Sequence, residues 1–199
     1  MGAPRRIDQF LALIEAWKRK DIDRSVAAGR AGIQAGLTLA HTTPEHAYEL
    51  RSKAKACAFD VGSFTWPGWD EAGITLLASH YAIGRDAAHV NLRLAQSLEK
   101  GAIPVGRAHW LVGAFHMVDR EWDAAKAEFS RAEASVRETD GENEGLLALG
   151  YSALVDQLAG VPMAEVRLEK IRLDLTTRPD GTFLSEQLEV AQRVFTTLR

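Results

Sequence analysis

The residue types able to do chemistry in this chain are six histidines, one cysteine and a few clustered acids. His109 and His116 stand seven apart, two turns along one helix, so their rings are too far separated to hold one ion. His41 and His46 flank a turn with no third ligand beside them, and His80 and His89 fall on what read as opposite limbs of one helix pair. Neither an H-E-x-x-H pattern nor a cysteine ligand set occurs, so each histidine reads as structural. No metal and no cofactor is expected. Asp140–Gly145 has acids at alternate places and a glycine sixth, as a calcium loop does, but the twelfth place holds Tyr151 instead of a bidentate glutamate. It reads better as a connection with acids near the next helix N-terminus. Cys57, amid Ala54, Ala56 and Ala58, reads as a small core residue, because no activating group stands near it. Glycine-rich phosphate loops and a G-x-S-x-G elbow are absent. No residue set carries an enzyme, and the expected activity is non-enzymatic.

Composition points the same way. The 199 residues carry 24 Lys+Arg against 27 Asp+Glu, and 46% are hydrophobic, which suits a soluble globular chain with a real core. Residues 1–55 carry a net charge of +4 and the remainder −7, since ten basic residues meet six acids first and fourteen meet twenty-one later. The densest basic run, Lys18-Arg19-Lys20, is followed by Asp21 and Asp23, so it reads as a helix C-terminus. A nucleic-acid binder needs a sustained basic face, and none is present. The segment Ile7–Glu15 holds two acids, so it is an amphipathic helix and not a signal-peptide core. Eighteen apolar residues never run together, so no membrane span is expected. One cysteine allows no intrachain disulfide and fits a cytoplasmic setting.

The elements that position these residues read as about ten helices and no strand. They run over about 6–18, 23–39, 44–62, 70–83, 86–100, 104–118, 122–137, 145–159, 163–173 and 184–198. Ala27, Ala28, Ala31, Gly32, Ala35 and Gly36 give the second helix a small-residue face on which another helix can approach closely. Thr43-Pro44-Glu45 is a helix start, Trp66-Pro67-Gly68-Trp69 a break, and Gly84-Arg85-Asp86 a turn. Leu184, Leu188, Ala191, Val194 and Leu198 form a stripe on the last helix.

Three of these helices repeat a trio of small or apolar residues: Ala88, Leu92 and Ala95; Ala125, Phe129 and Ala132; Ala164, Leu168 and Ile171. The steps are 37 and 39 residues, and Leu76, Gly113 and Gly150 mark the preceding helices at steps of 37 and 37. Two helices per period of this size are the mark of an α-solenoid. The stretch Ala108–Ser135 resembles the tetratricopeptide repeat family. Gly113 matches its helix A glycine, Ala125, Phe129 and Ala132 its helix B core, and Arg120–Ala125 its turn. Trp110 stands one place late, His116 replaces an aromatic, and no closing proline follows. The resemblance covers about 70–175 in three units, 70–100, 104–138 and 142–174, with 184–198 as a capping helix and a still weaker trace over 21–62.

The resemblance implies one all-α domain over 1–199, a right-handed α-α superhelix of stacked antiparallel helix pairs. It also implies a concave face lined by the first helix of each pair. That face would carry Asp70, Leu77, His80 and Tyr81; Arg107, Trp110, Ala114 and Met117; and Glu144, Leu147, Tyr151 and Leu154. Asp70, His80, Tyr81, Arg107, Trp110, Met117, Glu144 and Tyr151 are its candidate peptide-binding residues. Aromatic, Met and Arg side chains beside a few charges suit a protein or peptide partner. The same composition suits core, should a flanking helix fill the groove. Two other readings stand beside this one: a small-molecule pocket or hydrolase around His80 and Tyr81, and a homo-oligomer formed through the Leu184–Leu198 stripe.

Overall fold

The computed structural model describes residues 8–197. Residues 1–7, with Ile7, and 198–199, with Leu198, lie outside the described residues, as do the side chains of Asp8, Gln9 and Phe10. Among the described residues there are nine α-helices and no strand. They are α1 (Asp8–Lys18), α2 (Ile22–Thr42), α3 (Ala47–Phe64), α4 (Ala78–Ser97), α5 (Ala102–Val118), α6 (Trp122–Val136), α7 (Glu142–Leu158), α8 (Ala164–Thr176) and α9 (Gly181–Thr197). Single 3-10 turns stand at Pro44–His46 and Pro67–Trp69. The protein is all-α.

One device ends four of these helices. After α1, α4, α5 and α7, the residues Lys20, Glu99, Arg120 and Gly160 take a left-handed backbone, with φ of 61°, 49°, 59° and 78°. Each donates its N–H to the carbonyl three residues back, and the next residue donates to the carbonyl five back, as Arg120 does to Met117 and Glu121 to His116. This is the Schellman closure, which satisfies the orphan carbonyls of a helix end. Glycine is its usual occupant, and only the turn after α7 has one. At α2 the opposite end is capped by Asp21, whose side chain accepts from the Arg24 N–H at 3.0 Å.

The stretch 70–100 departs from the expected helix pair. Residues 70–77 are not helical, and α4 runs unbroken through Gly84-Arg85-Asp86. Asp70-Glu71 has the composition of a helix start, but Asp70 sits at φ 48° and Gly73 at φ 82°, both outside the helical well. The true start is built by His80, whose Nδ1 accepts the Leu77 N–H at 3.0 Å. Gly84 stays helical because Gly84, Ala87, Ala88, Asn91 and Ala95 form the buried face of α4, and packing overrides a propensity cost of about 1 kcal/mol. Leu76 therefore marks no helix, and 70–100 contributes one helix where two were expected.

The described chain gathers into two compact units. The first holds the residues up to Trp66 together with Ala72–Lys100, and the second holds Pro67–Glu71 and the residues from Gly101 on. In the first unit α2 lies antiparallel on α3 along a glycine seam. A Cβ added at Gly29 would fall on Val61 and Leu13; at Gly32 it would be 2.8 Å from Cys57 Sγ, and at Gly36 2.9 Å from the Leu50 carbonyl oxygen. Gly32 and Gly36 are the working part of the expected small-residue face, Gly29 joins them from outside it, and Ala27 and Ala31 are exposed. Across the seam α1 reaches α3, where Trp17 stacks on Phe64 at 4.0 Å between ring centroids. Trp66 is buried.

The second unit packs each helix on the next, and also packs α5 on α7 and α7 on α9. The starts of α5, α7 and α9 are spaced by 40 and 39 residues, from 102 to 142 to 181. Contacts along them run at a shorter spacing: Arg107 with Glu144 (37), Gln157 with Gln192 (35), and Asn143 with the backbone carbonyl of Pro179, just before α9 (36). Successive parallel helices are thus slid by about one turn, and like positions of the repeat touch one another.

Candidate functional site

Five of the eight predicted site residues lie on α5 and α7 in the second unit. Trp110 is 8% exposed, and Met117 and Tyr151 are fully buried. Trp110 meets Trp69 of the Pro67–Trp69 turn at 5.7 Å between centroids and Tyr151 edge-on at 5.4 Å; Tyr151 meets Phe129 of α6 at 5.5 Å. These are ordinary aromatic packing distances. Burial also pushes the Tyr151 phenol well above its usual pKa. The three candidate anchors are therefore core of this unit, and a bound peptide has no access to them. What covers the face is the Trp69 turn and α9, which packs on both that turn and α7. Leu188 of α9 sits over Gly150, 2.5 Å from where a Cβ would stand, and a Cβ at Gly113 would stand 2.8 Å from the Phe129 ring.

Around this core runs a charged rim that includes the other three residues of the second unit. Arg107 donates to Glu144 at 2.5 Å, with 58% and 25% of their side chains exposed. Asp70 accepts from Arg193 of α9 at 2.8 Å. Arg178 reaches Glu142 at 2.6 Å, and Asp156 takes both Lys126 and Arg167. Such exposed pairs are worth roughly 0–1 kcal/mol each, so they can be exchanged for a partner's charges at little loss. The sequence reading missed Trp69 as a member of the aromatic cluster and Arg193 as the partner of Asp70. The 36- and 37-residue offsets of Arg178–Glu142 and Arg107–Glu144 were the available signal, since they match the repeat.

His80 and Tyr81 belong to the first unit, on α4. His80 is 3% exposed, and both ring nitrogens are committed. Because Nδ1 accepts the Leu77 N–H, the hydrogen is on Nε2, which donates to Asp23 Oδ1 at 2.9 Å. No lone pair is left to bind a metal or to accept a substrate proton. Tyr81 is half-buried.

The other titratable groups follow the same pattern. His109 Nδ1 donates to Glu128 Oε2 at 2.7 Å between α5 and α6, and Glu128 also takes Arg131. Burial works to raise the Glu128 pKa, but the His109 hydrogen bond and the His109 and Arg131 charges outweigh it and hold the carboxyl below its usual value. His116 Nδ1 donates to Glu121 at 2.6 Å. In the first unit Cys57 is buried; burial, and then the nearby Asp60 carboxylate, push its thiol up to about 11, so it is no thiolate nucleophile. Asp60 itself is raised by burial to about 6, with Lys55 pulling the other way. Among the described residues no three His, Cys, Asp or Glu side chains gather to hold a metal ion, and no helix is long and apolar enough to cross a membrane.

Of the Leu184–Leu198 stripe, Leu188 and Ala191 are fully buried inside the second unit and Leu184 half-buried, while Val194, also half-buried, lies on the outward side of α9. No family model, no curated protein and no solved structure matches this chain.

Proposed function

We propose that this protein is a non-catalytic helical-repeat scaffold of the tetratricopeptide-like kind, working in the cytoplasm by holding a segment of another protein. The observation that carries the reading is the self-similar contact pattern of α5, α7 and α9, in which residues 35–37 apart meet through Arg107–Glu144, Asn143–Pro179 and Gln157–Gln192. Repeat stacks of this kind expose a long, rigid surface and leave function to the residues along it. Engagement of both nitrogens of His80 supports the non-catalytic side of the reading and argues against a hydrolase at His80 and Tyr81.

The partner surface is the charged rim of Arg107, Glu144 and Asp70, held in place by the aromatic core beneath it. A segment of alternating charge would exchange with the exposed Arg107–Glu144 pair. The test uses the full chain as bait in lysate of its native cell, beside the Arg107→Ala/Glu144→Ala double variant. The wild type is expected to retain a protein that the double variant loses, with unfolding curves differing by less than about 1 kcal/mol. Retention of the same protein by both, or of nothing by either, would contradict the reading.

A further inference from the structure

The helix α9 is a third copy of the position held by α5 and α7, but its surroundings differ. The helix α5 has α6 antiparallel beside it: Gly106, early in α5, faces Val136, late in α6, and Gly113 faces Phe129. The helix α7 likewise turns directly into α8. The described elements packed most closely on α9 are α7, α8 and the Pro67–Trp69 turn. Its inward face, Gly181, Ser185, Leu188, Ala191 and Phe195, is buried. Its outward face carries Phe183, 65% exposed, with Val190 and Val194 half-exposed. At about 100° per residue these three lie within roughly 40° of one another, a narrow apolar stripe two to three turns long.

The charges beside the stripe say what fits it. Glu186 and Arg193 are both exposed, stand two turns apart and share one flank of the stripe. Glu186 has no ion pair among the described residues, while Arg193 has only the exposed Asp70. A two-fold axis crossing the helix at the level of residues 189–190 turns α9 antiparallel to a second α9 and keeps each flank on its own side. Val190 then meets the partner's Val190, and Phe183 comes within a turn of the partner's Val194. Glu186 lies level with the partner's Arg193, and Arg193 with the partner's Glu186. Parallel pairing sets the Glu186 flank against the Gln187 flank and matches no opposite charges. The sequence of the stripe is self-complementary in one orientation only.

We infer that α9 binds α9 of a second copy of this chain, antiparallel, through Phe183, Val190 and Val194 with reciprocal Glu186–Arg193 pairs, the isologous contact of a two-fold dimer. The second copy's α9 takes the antiparallel place that α6 takes on α5. This pairing does not depend on the scaffold reading above, because it needs no other protein. The stripe is distinct from the buried Leu188–Ala191 side of the same helix.

Sedimentation velocity on the full chain over a wide concentration range tests it, with circular dichroism to check the fold. The wild type should shift from monomer to dimer as concentration rises. Val190→Glu, and separately Phe183→Asp, should weaken self-association at least about tenfold with unchanged helicity, since Phe183 is exposed and Val190 half-exposed in the monomer. Glu186→Arg alone and Arg193→Glu alone should each stay monomeric, while an equimolar mixture of the two should dimerise. A wild type monomeric throughout overturns the inference, as does a dimer indifferent to Val190→Glu or a mixture that stays monomeric. A monomer that instead retains another protein, and loses it in Val190→Glu, assigns the stripe to that protein and also overturns self-pairing.

Discussion

The two units solve helix packing in opposite ways. The first brings α2 onto α3 by removing side chains: Gly29, Gly32 and Gly36 leave the space that Val61, Cys57 and Leu50 occupy. The second fills its centre with large rings, Trp69, Trp110, Phe129 and Tyr151, and ties the helix ends with ion pairs. A seam of glycines is damaged by adding atoms, and an aromatic core by taking them away. The contrast also says where a partner can act. The seam is backbone-close and closed, whereas the ion pairs of the second unit are exposed and exchangeable.

The largest expected break of this contrast is Phe129→Ala. Phe129 is fully buried between Gly113 and Tyr151, so the variant should lose about 3–5 kcal/mol in urea unfolding. A loss below 1 kcal/mol would mean that the rings are not the second unit's core. Next comes Gly36→Val, which pushes a branched side chain against the Leu50 carbonyl, a backbone atom that cannot swing away. A loss of about 1–3 kcal/mol is expected, read as faster amide exchange in α2 and α3 with α5–α7 unchanged. Uniform acceleration in both units would contradict an effect confined to the glycine seam.

Two carboxyls sharpen the comparison through pH, with opposite signs. Asp60 of the first unit has its folded pKa raised from 3.8 to about 6, so the folded form holds the proton more tightly and loses stability as pH rises between those values. Asp60→Asn should therefore stabilise at pH 7.5 and change little at pH 3.5. Glu128 of the second unit has its folded pKa lowered, so its contribution is present above the ordinary value of 4.5 and is lost as pH falls through the folded one. Glu128→Gln should destabilise at neutral pH, with the difference vanishing in acid. Unfolding curves of both variants across pH would refute this if the two trends ran in the same direction.

The smallest effects belong to the shared helix closures. A Cβ added at Gly160 meets nothing within 4 Å, so Gly160→Ala isolates the φ of 78° and should cost about 1 kcal/mol. Glu99→Gly, at φ 49°, should gain about 0.5–1 kcal/mol by the same logic. Equal stabilities of these variants and the wild type, by thermal unfolding, would show the turns to be unstrained.

Much of the fold is legible in the residues. From α5 to α9, each break carries its own signal, Asp119–Glu121, Asp140–Asn143, Gly160–Pro162 or Arg178–Gly181, and the helices fall within three residues of expectation, α7 and α9 each starting three residues early at Glu142 and Gly181. The stretch 70–100 misleads because local signals point the wrong way. Asp70-Glu71 imitates a helix start although the backbone there is left-handed, and Gly84 imitates a turn although it lies on a buried helical face. The candidate site shows a different limit. Helical phase correctly groups Trp110, Met117 and Tyr151, but phase alone does not reveal whether a face is covered. The covering groups, Trp69 and α9, come from 41 residues before Trp110 and more than 70 after it, and nothing local to α5 encodes their arrival. The left-handed closures at Lys20, Glu99 and Arg120 escape notice for the converse reason, since their residue types are not the glycine that usually marks them.

Trp110, Met117 and Tyr151, at the repeat's inner positions, are buried core of the second unit. Urea unfolding of Trp110→Ala tests this burial most directly. The packing of Trp110 against Trp69 and Tyr151 predicts a loss of about 3–5 kcal/mol and a lower midpoint. An unfolding curve that overlays the wild type would place Trp110 on an open surface.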